Sequence, residues 1–275
     1  TGLVAIRLAG AAVAFAFLKR LLPHGAIRRE DYPRLALYSL LGVFLNQLLF
    51  TKGLELSTAV NATLLGTAIP VFTLLVSILM GRERASGLSW LGLALAAGGV
   101  ATLVNPFAAD FSGQHALGNL LIVANTMAYG AYIAVSQDMM KRYGPLSVIT
   151  YMFAFGSLYA LPFGVPQLME APLAEVSWGV WLLVAYIVAV PTVGAYYLNA
   201  WALARVAPST VAAYIYLQPL ISFALAPLVL GEEERWSWRT LASAALIFAG
   251  VAVVTRFTRS RAAEEVSERP EALGH

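Results

Sequence analysis

Apolar runs of roughly 20 residues, the length a helix needs to cross hydrocarbon, follow one another along this chain with only short polar breaks between them. The runs are apolar on every side and do not alternate with period two, so they predict helices and not the strands of a membrane barrel. Nine spans are expected: Gly2 to Leu22, Leu35 to Leu54, Ala59 to Met80, Leu88 to Val104, Leu117 to Met140, Leu146 to Val165, Trp178 to Ala204, Ser209 to Leu230 and Trp238 to Thr255. Three soluble connections interrupt them, His24 to Arg34, Asn105 to His115 and Gln167 to Ser177, none long enough for a domain. The tail from Arg256 onward, rich in Arg, Glu and Ser, reads as solvated and disordered.

The pattern is written twice. One copy runs Ala59-Val60-Asn61-Ala62-Thr63, then Pro70 inside an apolar run, Gly81-Arg82-Glu83, and Trp90 with an apolar stretch to Gly99. The other runs Pro208-Ser209-Thr210-Val211-Ala212, then Pro219, Gly231-Glu232-Glu233, and Trp238 with an apolar stretch to Gly250. Duplicated helical halves in a membrane protein commonly build a transport site between them. The stretch from Gly144-Pro145-Leu146 to Leu161-Pro162 matches that from Thr1-Gly2-Leu3 to Leu22-Pro23, which leaves the span Leu117 to Met140 without a counterpart upstream. A further helix ahead of Thr1 is therefore expected, giving ten as five plus five. The halves are placed at residues 1–105 and 116–256, with 257–275 as the tail. Arg7 and Lys19-Arg20 give the first span the wrong polarity for a signal peptide.

Composition agrees with an all-α polytopic membrane protein: 59% of residues are hydrophobic and only 12% charged, with a mean hydropathy of +0.72. Such a chain is too apolar for a soluble globule. The positive charge explains orientation and not nucleic-acid binding, because it collects on one side of the spans. Lys19, Arg20, Arg28, Arg29, Arg34, Arg82, Arg84, Lys141, Arg142, Arg205, Arg256, Arg259, Arg261 and Arg269 fall there, against Lys52, Arg235 and Arg239 on the other. The richer side is expected to be cytoplasmic, with the C terminus inside and the protein in the cell's inner (plasma) membrane. Five helices per half is an odd number, so the second half would be inverted relative to the first, the arrangement from which alternating access follows.

These residues, Ala-Val-Asn-Ala, a mid-helix proline, Gly-Arg-Glu and a Trp-Leu-Gly helix, repeated around Pro219 and Gly231-Glu232-Glu233, resemble the EamA domain of the drug/metabolite transporter superfamily over essentially the whole chain. The resemblance implies ten helices, a central cavity lined by helices one, three, four, six, eight and nine, and export of small metabolites. Leu65-Gly66-Thr67-Ala68-Ile69 stands where the aromatic amino-acid exporters of that superfamily would carry Tyr and Trp ahead of Pro70.

Polar side chains within hydrocarbon are costly unless they face the protein interior or a wet cavity. Asn125, Tyr129, Tyr132 and Ser136 share one helical face. Thr210, Tyr214 and Gln218 recur one turn apart and end beside Pro219. With Asn46, Gln47, Asn61, Tyr196, Tyr197 and Asn199 they describe a substrate cavity of amides, hydroxyls and aromatic faces. Pro70 and Pro219, paired between the halves, are expected to act as hinges there. The structural reading of each amide is an interhelical hydrogen bond worth about 0.6 kcal/mol. Gly92, Ala96 and Gly99, and Ala242 and Ala245, suit close helix packing within the chain or in a homodimer.

No basic residue is expected at mid-span: Arg7, Lys52 and Glu55 sit toward the outer ends, and Asp138 near an inner end as a cap for Lys141 or Arg142. A phosphorylated substrate would need a cavity lysine or arginine, so the expected substrate is a small neutral or zwitterionic metabolite of the amino-acid kind. Drugs, nucleosides or lipid-like molecules on the same fold, and a scaffold without transport, are the competing readings. No cofactor, metal or nucleic acid is implied: cysteine is absent, His24, His115 and His275 lie in loops or the tail, and no phosphate-cradling Gly-x-x-x-x-Gly-Lys loop occurs. The partners expected are the small-molecule substrate and the lipid bilayer, and enzymatic chemistry has no candidate residues.

Overall fold

The computed structural model describes residues 2–22, 25–84, 86–104, 107, 110–221 and 238–260. Among them the chain is helical almost throughout: α1 (Gly2–Leu21), α2 (Arg29–Glu55), α3 (Ala59–Leu79), α4 (Gly87–Val104), α5 (Ala116–Tyr143), α6 (Pro145–Glu170), α7 (Trp178–Leu203), α8 beginning with Pro208–Ala213, and α9 (Trp238–Phe257). Seven of these have the length and apolarity to cross a membrane by themselves, and α4 is a shorter apolar helix. The predicted span Ser209 to Leu230 is described only through residue 221, so its later half, Gly231-Glu232-Glu233 and Arg235 lie outside the described residues.

Two glycines shape the turns. Gly81 takes φ 66° and Gly144 φ 78°, left-handed backbone that glycine adopts at little cost. At Gly81 the N–H bonds to Ile78 O at 2.8 Å and Arg82 N–H reaches Ser77 O at 2.9 Å, the paired bonds of a Schellman stop. The charged turn between α3 and α4 is thus a helix end built into the backbone.

Packing divides the chain into two compact units that cut across the sequence halves: residues 1–50 with 135–205, and 51–134 with 206–275. In the first, α1 packs along α6 and against the middle of α7, and α2 lies on α6. Gly156 gives α2 its approach, because a Cβ there would stand 2.7 Å from a Val43 methyl. Phe15 and Phe153, both fully buried, face each other across α1 and α6 with ring centroids 5.1 Å apart. At one end of this unit Asp31 is buried. It accepts the Tyr143 hydroxyl and lies 3.5 Å from Arg34 and 3.4 Å from Arg142.

In the second unit α4 and α9 pack along their lengths. A Cβ on Gly92 would stand 2.9 Å from Gly250 O, one on Gly99 2.9 Å from Ser243 O, and one on Gly250 2.5 Å from Ala96 N. The small-residue stripe expected on α4 is therefore filled by α9 of the same chain. Lipid tails are as apolar as leucine, so such contact is favoured by van der Waals fit between backbones more than by removal from water. Leu74, Leu93, Val100, Tyr216, Leu220, Ile247, Val251 and Val254 complete the core around this pair. Below it Glu83–Arg84 pairs antiparallel with Arg259–Ser260. The predicted disordered tail is thus ordered over its first residues, where backbone groups beyond α9 find partners in the α3–α4 turn; residues 261–275 lie outside the described ones.

Candidate functional site

The sequence places polar groups in α2 and α7 without saying how the helices carry them. Both helices contain a π-helical segment, Leu40–Leu45 in α2 and Val188–Gly194 in α7. A π segment widens the helix by one residue per turn, loosens its carbonyls and is frequent at functional sites. In α7 it surrounds Pro191, which has no N–H to give. Thr192 compensates by donating its hydroxyl to Ile187 O at 2.8 Å, five residues back.

Side chains of α1, α2, α6 and α7 then meet in the first unit. Arg7 Nε and Nη2 donate to Thr192 Oγ1 at 3.3 and 3.2 Å, using lone pairs of a hydroxyl whose proton is committed to Ile187. Tyr196 Oη shares its proton between Asn46 Oδ1 at 3.0 Å and Gly42 O at 3.2 Å, the latter a carbonyl of the α2 π segment. Phe153 holds the Tyr196 ring edge-on at 5.0 Å between centroids. Gln47 neighbours the Tyr196 hydroxyl and is only 5% exposed, yet neither end of its amide makes a well-formed hydrogen bond among the described residues. The same holds for the buried Asn199 Oδ1, which lies on the face of α7 that carries Thr192 and Tyr196.

Arg7 changes the sequence expectation. Its Cα lies in the early part of α1, but its long stem carries the guanidinium to Thr192, near the midpoint of the 26-residue α7. The guanidinium therefore sits beside the middle of α7, farther along the helices than the position of Arg7 in α1 suggests. Its sequence signal was the charge inside an apolar run. Thr192 had a weaker one, as the residue after a mid-span proline.

The remaining candidates fall in the second unit or on α5. Asn61 is fully buried and its amide is fully used: Nδ2 donates to Asn119 Oδ1 at 3.0 Å and to Asp110 O, and Oδ1 accepts from Asp110 N at 3.0 Å. It ties the start of α3 to the loop before α5, with Thr58 capping the helix through Asn61 N at 3.1 Å. Asn125, Tyr132 and Ser136 are buried along the unbroken α5, and Tyr129 pairs with Tyr132 at 5.6 Å between ring centroids. Tyr214 and Gln218 are exposed, and Tyr197 is half-buried. Pro70 follows a break at Thr67–Ala68, and Pro219 follows the 3₁₀ turn Tyr214–Tyr216. That turn advances side chains by about 120° per residue in place of 100°, so Tyr216 and not Tyr214 points inward. Tyr216 is 1% exposed and donates to Thr67 O at 2.9 Å. Asp138 is exposed, and Arg142, expected beside it, stands against Asp31.

A second feature of the first unit is a cleft of about 560 Å³ at the Gly144 turn, where Tyr197, Trp201 and Arg205 face Tyr143 and Ser147. Arg205 stacks on Trp201 at 3.9 Å there. Among the described residues no group of His, Asp or Glu is placed to hold a metal.

Comparison with known proteins agrees with this architecture. Residues 1–105 and 116–256 match the EamA-like transporter family. An uncharacterized transporter of Archaeoglobus fulgidus is 26% identical over 246 residues, covering 88% of this chain and 82% of its own. A probable terminal-alkyne amino-acid exporter of Streptantibioticus cattleyicolor is 27% identical over 267 residues, covering 96% of this chain and 86% of its own. A solved crystal structure superposes with a TM-score of 0.72 at 20% identity, covering 92% of this chain and 87% of that one, which shows the shared fold.

Proposed function

Because this chain belongs to the EamA-like transporter family, and is a multi-pass membrane transporter and not an enzyme, we propose that it exports a small neutral or zwitterionic metabolite of the amino-acid class by alternating access. The observation that carries the reading is the polar cluster of α2 and α7. There a hydrogen-bonded Tyr196–Asn46 pair stands beside the buried Gln47 amide, with the buried Asn199 Oδ1 on the same face of α7, and among the described residues both are left incompletely bonded. Buried polar groups are ordinarily satisfied, so donors and acceptors held open inside a membrane helix suit a small polar ligand that completes them in passing. The name carried by the Streptantibioticus relative, an amino-acid exporter, supports the same class. On this reading the two sequence repeats, 1–105 and 116–256, are inverted halves whose exchange of conformation opens the cavity to each side in turn. On the same reading the protein sits in the inner membrane with its C terminus cytoplasmic, which the basic residues at Arg20, Arg82, Arg142 and Arg256 support.

The test is counterflow in proteoliposomes with radiolabelled neutral, aromatic, basic and acidic amino acids, with and without a pH gradient. Saturable exchange of one group supports the proposal and names the substrate class; a dependence on the gradient assigns proton coupling. Protein shown to be folded and inserted that exchanges none of them sinks it.

A further inference from the structure

We propose that Arg7 is the anchor for a carboxylate of the transported molecule, so that the substrate enters the site as a carboxylate or zwitterion and not as a neutral molecule. This rests on the exporter reading above and narrows it. Arg7 lies in the membrane-spanning α1 and donates through two of its N–H groups to a single neutral acceptor, Thr192 Oγ1. Among the described residues no carboxylate stands within ion-pair distance of it; Asp31 and Glu55 are each taken by other cations. An arginine is always charged and carries five donors in a planar fork. Held inside a membrane protein against only a hydroxyl, it keeps most of that fork and all of its charge uncompensated.

A structural role would ask for a carboxylate or a set of backbone carbonyls around the guanidinium, as Asp31 receives from Arg34, Arg142 and Tyr143. Among the described residues Arg7 has neither, and it is half-buried, so part of the fork stays open. A second, independent observation points to a ligand at the same place. Gln47 is only 5% exposed, neither end of its amide makes a well-formed hydrogen bond among the described residues, and its polar neighbour is the Tyr196 hydroxyl, which in turn lies in the electrostatic neighbourhood of Arg7. A cationic fork, an open amide acceptor and an aromatic ring within one unit are the groups that a carboxylate, an ammonium and an apolar side chain seek. Phosphate esters would bind the same fork, but one arginine leaves a second charge uncompensated.

The experiment measures binding to purified protein in detergent by thermal shift and by competition, using two matched pairs: L-phenylalanine with L-phenylalaninamide, and 3-phenylpropionate with 3-phenylpropanamide. Each pair differs in the carboxylate alone. The carboxylate member is expected to bind roughly tenfold or more tightly in the native protein, the gain of a charge-assisted bidentate contact. Arg7→Gln should erase the difference within each pair while leaving amide binding in place, and Arg7→Lys should restore part of it. Native protein that binds acid and amide equally in both pairs overturns the inference, as does a preference that survives Arg7→Gln or a failure of both acids to bind. The native comparison stands even where Arg7→Gln fails to fold. Preference for 3-phenylpropionate with no binding of phenylalanine would retain the Arg7 anchor and reject the amino-acid reading. Binding of phenylalanine and its amide alike would do the reverse.

Discussion

The Tyr216 hydroxyl donates to the carbonyl of Thr67 at 2.9 Å, and the two residues are 149 positions apart. The same offset relates Pro219 to Pro70 and Tyr196 to Gln47. Equivalent points of the two repeats therefore touch, and they do so where each repeat interrupts its helix ahead of a proline. Pro70 cannot donate into the turn before it, so the break at Thr67–Ala68 leaves carbonyls to satisfy, and the other repeat's tyrosine satisfies one. The π segments Leu40–Leu45 and Val188–Gly194 fall at corresponding places as well, joined through Tyr196 and Gly42.

Tyr216→Phe removes that donor from the half-buried Thr67 carbonyl. A loss of about 1 kcal/mol is expected, seen as a lower Tm in detergent and faster amide exchange around Ala68 to Phe72. Unchanged exchange there would show that the break is held by other bonds.

Gly250 and Gly98 differ in what a methyl group would meet. At Gly250 it would lie 2.5 Å from the Ala96 backbone, whereas at Gly98 nothing among the described residues stands within 4 Å. Gly250→Ala should separate α4 from α9 and cost about 1–3 kcal/mol, while Gly98→Ala should gain up to about 1 kcal/mol from helix propensity. Thermal unfolding of the pair checks both signs, and equal effects would contradict the packing.

Asp31 is buried while its arginine partners are largely exposed. Truncation of Arg34 to alanine is expected to cost under about 1 kcal/mol, as exposed partners do. Asp31→Ala should cost about 1–3 kcal/mol, because it also strands the buried Tyr143 hydroxyl. Comparable losses for the two variants would place the energy in the ion pairs and not in the tyrosine.

Glu83 is 2% exposed, accepts Ser209 N–H at 3.2 Å through Oε1 and has no partner for Oε2. Burial holds its carboxyl above the ordinary value of 4.5, offset in part by Ser209. The folded protein then binds the proton more tightly than the unfolded chain, so stability falls as pH rises from the unfolded pKa to the raised folded one and is level above it. Glu83→Gln should flatten that limb of the pH–Tm profile. A limb of unchanged slope in the variant would assign it to another group.

Gln47→Leu separates function from stability. Replacing a buried amide that makes no well-formed hydrogen bond among the described residues with an apolar side chain of similar size should raise Tm, while weakening substrate binding by roughly tenfold if the amide is a ligand contact. Tighter or unaltered transport kinetics would remove Gln47 from the site.

The sequence by itself determined what depends on neighbours along the chain. The length and uniform apolarity of its runs specified helices, and Gly81 and Gly144 mark where two of them stop. It also put Asn46, Gln47, Tyr196 and Asn199 forward together, because polar residues in hydrocarbon are informative wherever they fall. Only the tertiary structure decided which of these groups meet. Arg7 looked peripheral because position along α1 does not show how far its side chain reaches, and Tyr214 looked inward because a stripe drawn at 3.6 residues per turn ignores the 3₁₀ turn beneath it. Asn61 looked available until Asn119 and the Asp110 loop closed on it. Helical phase and helix-to-helix contact are long-range properties, fixed by where backbones can approach, as at Gly92, Gly99 and Gly250, and that fit is a property of two surfaces that no single stretch of chain contains.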